Sequence, residues 1–272
     1  MQDPARGTAM SHQLNSIASP SDGVWHHLQP IRGCFFSDLH LFSPRSAYAE
    51  NEAALRSACK SSNLVVLGGD IFDLRWTSLG SLQRTIDAAS HWLEEFSREH
   101  AHAQIVYLLG NHDSHPDLAT SLQRTTAAHG NFSWHPEQLR IGDCLFLHGD
   151  ILDASRHPYG LAKYRRKFHG EETKSRTQHR AYDMVVALRL HKFIPRVRHI
   201  PHNTCRQLYK SIVRALPHDQ TLPNKVFFGH THVPIRAFRY GRIEFFNPGA
   251  SVKHLSFAPI LFSVKFASAS HT

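Results

Sequence analysis

The sequence predicts an α/β (α+β) fold carrying a helical insertion, on three observations. Short apolar runs alternate with stretches of helical length, the end of the chain changes to alternating apolar and polar residues, and a strongly basic segment separates the two regimes. At 272 residues the chain suits one large domain with a sizeable insertion better than two full domains.

Residues 1–29 are polar, rich in Ser, Pro and His and without periodicity, so they are expected to be disordered. The domain is expected over 30–272. Its apolar runs are 33–37 (GCFFS), 64–68 (LVVLG), 105–109 (IVYLL), 144–147 (CLFL) and 225–228 (KVFF), each followed at once by polar residues. Continuous runs this short suit strands buried on both faces. Residues 46–60 and 79–99 have helical length and composition, giving β-α-β-α-β in the first half. IRAFRY, GRIEFF and PILFSVKF alternate, with a tight turn at Tyr240-Gly241, and predict a second, antiparallel part. Between 151 and 215, Ala181, Met184, Val185 and Leu188 form an apolar helical stripe flanked by Arg180 and Arg189, as a helical pair docked on the body would.

The net charge of +9 is concentrated in this insertion. Residues 151–215 hold 15 Lys and Arg against 4 Asp and Glu, leaving the remainder slightly acidic, so a local anionic contact is expected. Four cysteines without C-x-x-C spacing indicate reduced thiols and no disulfide frame. No apolar stretch approaches the roughly 18 residues of a membrane span, nor does a basic segment precede an apolar core at the N-terminus. The expectation is a cytoplasmic protein, with peripheral contact at an inner membrane left open.

Each apolar run ends in metal-ligand residue types: Asp38 and His40 in SDLH, Asp70 in GGDIFD, Asn111 and His112 in GNHD, His148 in LHGD, His230 and His232 in GHTH. Among 23 histidines a single such pair is unremarkable. Five segments with the same placement after a strand are not, because side chains just past the carboxyl ends of neighbouring strands converge on one crevice. Gly69 and Gly110 precede two of these residues and read equally well as turn glycines. Asp38, His40, Asp70, Asn111, His148, His230 and His232 make seven candidate ligands. One catalytic ion takes about three protein ligands, whereas two ions roughly 3.5–4 Å apart sharing a carboxylate use seven. Imidazole, carboxylate and amide without thiolate suit Mn first, then Fe, Zn or Co. Such a pair activates water and neutralises phosphoryl oxygens, which implies hydrolysis of a phosphate ester or anhydride. His112 is then free to protonate the leaving oxygen or steady the phosphoryl group, with Asp113 orienting its ring. Asp73 and Asp150 read as hydrogen-bonding or capping residues.

The ordered set D-x-H, G-D, G-N-H-D, H-G-D and G-H-T-H over residues 33–250 resembles the calcineurin-like metallophosphoesterase superfamily. The resemblance implies a four-layered α/β/β/α sandwich. It also implies one ion on Asp38, His40, Asp70 and His232 and another on Asp70, Asn111, His148 and His230, with Asp70 bridging. Within it, FFSDLHL, GGDIFDL, HGDILD and GHTHVP are most similar to the UDP-2,3-diacylglucosamine hydrolases, which insert a helical lid between HGD and GHTH. That relationship implies a lipid-linked nucleotide substrate, cleaved to lipid X and UMP. Lys163, Arg165 and Arg166 would then contact its diphosphate or a membrane. His112 stands where the best-known of those hydrolases have arginine, and FNPGAS is similar to general phosphodiesterases. A general phosphodiesterase or phosphomonoesterase is therefore the alternative. A nuclease would use the basic segment for nucleic acid, but only Tyr159, Tyr164, Phe168 and Tyr182 are near to stack on bases. A non-catalytic scaffold would be expected to lack a ligand, and none is missing.

Overall fold

Successive side chains of β1 (Arg32–Phe36), β2 (Leu64–Leu67) and β3 (Gln104–Leu108) belong alternately to two different cores. Cys34, Phe36, Val65, Leu67, Ile105 and Tyr107 pack with the buried residues of helices α1 (Tyr48–Lys60), α2 (Leu82–Glu99) and α3 (Pro116–Ala128). Phe35, Leu64, Val66, Val106 and Leu108 join Leu139, Phe146 and Phe227 in a second cluster between two sheets. Burial on both faces is why these strands read as unbroken apolar runs. A computed structural model describes residues 30–154, 160–170, 174–175, 177–179, 186, 195–217 and 220–266. The expected disorder of 1–29 and the stripe of Ala181, Met184, Val185 and Leu188, with Arg180 and Arg189, lie outside the described residues.

The first sheet has the order β10-β1-β2-β3-β4, with β4 spanning Phe132–His135 and β10 spanning Ile260–Ser263. β1 to β4 are parallel, and β10 closes the edge antiparallel to β1. The second sheet contains β5 (Gln138–Ile141), β6 (Cys144–Leu147), β7 (Lys225–Phe227), β8 (Ile235–Tyr240) and β9 (Ile243–Asn247), in the order β5-β6-β7-β9-β8. Its outer face, through Leu145, Leu147, Val226 and Phe245, packs on Leu152 of α4 (Ile151–Ala154), Leu161 of α5 (Gly160–Arg166) and Cys205, Leu208 and Ile212 of α6 (Pro201–Ala215). The layers run α/β/β/α. Between the sheets Phe227 stacks on Phe146 and on Phe246, each at 5.0 Å between ring centroids.

Two expectations change. The turn at Tyr240-Gly241 does join an antiparallel β8–β9 hairpin, with Gly241 in the left-handed region, but β6, β7 and β9 pair in parallel, so the second sheet is mixed. PILFSVKF supplies β10, which leaves that sheet for the edge of the first. Helix starts follow local chemistry: the Ser81 side chain accepts from Arg84 N–H at the head of α2, while Pro116 and Pro201 sit in the first turns of α3 and α6. All four cysteines are buried free thiols.

Candidate metal centre

The loops that follow β1 and β2 are zipped together by their own backbones. Asp38 N–H donates to Gly69 O at 3.0 Å, His40 N–H to Asp70 O at 3.1 Å and Leu41 N–H to Ile71 O at 2.8 Å. Across the sandwich, Gly229 N–H donates to His148 O at 2.8 Å, which ties the loops after β6 and β7. His230 N–H donates to the Asp38 carboxylate, 3.1 Å from Oδ1 and 3.0 Å from Oδ2, so the carboxyl ends of strands from both sheets meet at one edge of the sandwich. The five motifs are delivered by two stacked sheets, in keeping with the four-layered sandwich that the resemblance implies.

The backbone carries strain where the candidate ligands sit. Asp38 (φ 54°), His40 (47°), Asp70 (52°), His230 (64°) and His232 (56°) all occupy the left-handed region, which is unfavourable for any residue with a Cβ. Clearance is equally tight: a Cβ on Gly110 would lie 2.2 Å from Asp70 Oδ1, and one on Gly229 would lie 2.2 Å from Asp38 Oδ2. Both glycines are required by close approach to a candidate ligand carboxylate, which turn geometry alone did not reveal.

Among the described residues three groups could hold a cation: Asp38 with His40 and His232, Asp70 with His148 and His230, and His40 with Asp73 and His112. His232 Nε2 lies 3.3 Å from Asp38 Oδ1 and 3.2 Å from His40 Nε2. His148 donates from Nδ1 to Gly68 O at 2.9 Å, which turns its Nε2 inward, 3.3 Å from Asp70 Oδ2 and in no hydrogen bond, as the nitrogen a cation would take in place of a proton. Asn111 is buried, and its Oδ1 has no hydrogen-bond partner either. Two buried polar atoms without hydrogen bonds, at the positions expected of ligands, are what a cation would satisfy.

Electrostatics point the same way. The ion pairs of the buried Asp38, Asp70 and Asp73 are all with histidines. Burial alone would lower the His148 pKa, yet the carboxylates of Asp70, Asp38 and Asp150 carry it up to about 10. Burial likewise opposes the charged form of His112, and Asp73 and Asp70 raise it to about 9. Asp70, whose burial favours protonation, is held well below the usual carboxylate range by His148 and His112. So concentrated a negative potential suits divalent cations.

Three sequence-based assignments need correction or completion. Asp113 does not orient His112: its carboxylate accepts from Ile71 N–H at 2.8 Å, Tyr107 O–H at 2.5 Å and Gly110 N–H at 2.6 Å, pinning the ligand loops. The carboxylate on His112 is that of Asp73, whose Oδ1 lies 3.1 Å from His112 Nδ1 and whose Oδ2 lies 3.5 Å from His40 Nδ1. Arg165 is buried and forks onto Asp150, with Nε 2.7 Å from Oδ2 and an η-nitrogen 3.1 Å from Oδ1, while donating to Leu109 O and Pro136 O. Its guanidinium is engaged in holding α5 to the body, whereas Lys163 and Arg166 on the same helix are exposed. Asn247 of FNPGAS was not assigned a role and braces the GHTH loop, donating from Nδ2 to Gly229 O at 2.9 Å and Thr231 Oγ1 at 3.1 Å.

A family model for calcineurin-like phosphoesterases matches residues 31–234. The chain belongs to that family. As a calcineurin-like phosphoesterase it is a metal-dependent hydrolase of phosphoester bonds, and the matched span runs from the start of β1 to just past His232. No curated protein matches the chain.

Proposed function

We propose that the protein is a dinuclear metallophosphoesterase cleaving a phosphoester or pyrophosphate bond, with UDP-2,3-diacylglucosamine, split to lipid X and UMP, as its substrate. The observation that carries the two-ion reading is the pair of buried polar atoms without hydrogen bonds, Asn111 Oδ1 and His148 Nε2, at the Asp70, His148 and His230 group, with a separate group of Asp38, His40 and His232 next to it. Asp38, His40, Asp70 and His232 would hold one cation, and Asp70, Asn111, His148 and His230 the other, Mn being the expected metal. When bound, the cations lower the pKa of water and neutralise phosphoryl charge.

The chain's own groups supply the remainder. His112, with Nδ1 on Asp73, is positioned to protonate the leaving oxygen from its other nitrogen. The backbone N–H of His112 donates to Asp70 Oδ1 at 2.8 Å, so the loop carrying the acid is fixed relative to that carboxylate. Residues 30–272 are taken as one domain in which 151–215 is a lid over this centre. Support for a lipid-linked substrate is the surface of that segment. Val197, Ile200 and Val213 are exposed among Arg196, Arg206, Lys210 and Arg214, a combination that suits acyl chains and anionic headgroups at an inner-membrane surface. No helix of the described residues is long and apolar enough to cross a membrane. Exposed Lys163 and Arg166 remain candidates for the diphosphate.

A general phosphodiesterase is the second reading, favoured by a histidine rather than an arginine after Asn111. Hydrolysis of UDP-2,3-diacylglucosamine beside bis-p-nitrophenyl phosphate by the Mn-loaded protein separates the two, with Asp70→Ala as the control. UMP release with little diester turnover supports the lipid substrate. Diester turnover alone removes it and leaves the metal chemistry.

A further inference from the structure

The carboxylate of Asp153, on α4, has basic partners from two distant parts of the chain. Its Oδ2 lies 3.1 Å from His230 Nε2, and its Oδ1 lies 2.7 Å from an η-nitrogen of Arg198. The Asp153 side chain is 13% exposed and that of Arg198 50%, so the pair runs from the edge of the ligand cluster outward to solvent. A histidine that ligates a cation through one ring nitrogen is held in tautomer and orientation by an acceptor on the other. His148 has Gly68 O in that place, and His40 has Asp73. Asp153 stands in the same relation to His230, whose group with Asp70 and His148 needs a ring nitrogen turned inward.

We propose that Asp153 is the positioning residue for His230, holding its Nε2 proton so that the other ring nitrogen faces Asp70 and His148, and that Arg198 ties this hold to the basic segment. This rests on the two-cation reading. Arg198 lies just before α6 and beside the exposed Val197, so the segment that faces solvent is joined through one carboxylate to a ligand of the centre. An anionic group drawn to Arg198 competes with Asp153 for the same guanidinium, which links the substrate's charge to the geometry of His230.

The test is a Co²⁺ titration of the full-length, metal-stripped protein, following stoichiometry and affinity by calorimetry and ligand geometry by visible absorption. Two sites are expected in the wild type. Asp153→Ala should lose roughly 10–100-fold in affinity at one site and change that site's spectrum, leaving the other intact. Asp153→Asn keeps an oxygen that accepts from Nε2–H, so it should recover most of the loss even though its ion pair with Arg198 is gone. Arg198→Gln should weaken the same site by less than Asp153→Ala, and it keeps the test decisive if the alanine variant does not fold. Unchanged binding in Asp153→Ala, or in Arg198→Gln when the alanine variant does not fold, overturns the proposal. Equal loss at both sites, or no recovery in Asp153→Asn, overturns it too. A wild type that binds fewer than two Co²⁺ overturns the two-cation reading itself, a different and separately visible failure.

Discussion

Asp73 spans two histidines, placing Oδ1 3.1 Å from His112 Nδ1 and Oδ2 3.5 Å from His40 Nδ1. One carboxylate thus fixes both the ring read as a ligand and the ring read as the proton donor. If His112 protonates the leaving oxygen, His112→Gln should lower kcat by roughly 10²–10⁴-fold for alkyl esters. The loss should be much smaller for p-nitrophenyl esters, whose leaving group needs no proton. Asp73→Asn should show the same dependence on leaving group, and kcat measured across a series of leaving-group pKa values checks both.

Metal removal should be visible without any substrate. Each cation that binds only the folded chain at about 100 times its Kd stabilises it by about 2.7 kcal/mol, so two contribute about 5 kcal/mol, which for a chain of this size is a Tm rise of roughly 10–20 °C. Calorimetric scans with Mn²⁺ and with a chelator measure it. Asp70→Ala should abolish the difference, since Asp70 belongs to both ion sites in the proposed assignment.

Arg165 and Arg166 are adjacent but should behave differently. Arg165→Met leaves the buried Asp150 carboxylate without its guanidinium and should cost about 3–5 kcal/mol in denaturant unfolding. Arg166→Ala, at an exposed position, should stay within about 0.5 kcal/mol.

Gly110→Ala forces a Cβ to within 2.2 Å of Asp70 Oδ1. Displacing a ligand by this much should lower kcat/KM by roughly 10²-fold. Far-ultraviolet circular dichroism should remain that of the parent, because the clash is confined to the loops beyond β2 and β3.

The positions of the site residues were legible in the sequence because each motif follows an apolar run that is in fact a strand, as with Asp38 after β1 and His148 after β6. Which sheet each strand joins was not legible. Runs such as LVVL and CLFL bury both faces, and nothing in their composition distinguishes one sheet of the sandwich from its neighbour. Helix α3 and strands β4 and β5 went unpredicted, their residues being more polar and less regular than the runs around them. Asp113 was paired with His112 through adjacency in the chain, yet the loops carry Asp73, 39 residues away, to that ring. Arg165 looked solvated inside a basic run until tertiary packing placed Asp150 against it.

The left-handed conformations at Asp38, His40, Asp70, His230 and His232 bear on how the protein could be altered. A glycine relaxes the backbone at such a position while deleting the side chain that the proposed centre needs. Selection for thermal endurance alone would therefore erode this sequence first at its reactive edge, yielding hardier proteins that hydrolyse nothing. Screens for robust variants of this fold should score turnover and melting together, since at these five positions the two criteria pull in opposite directions.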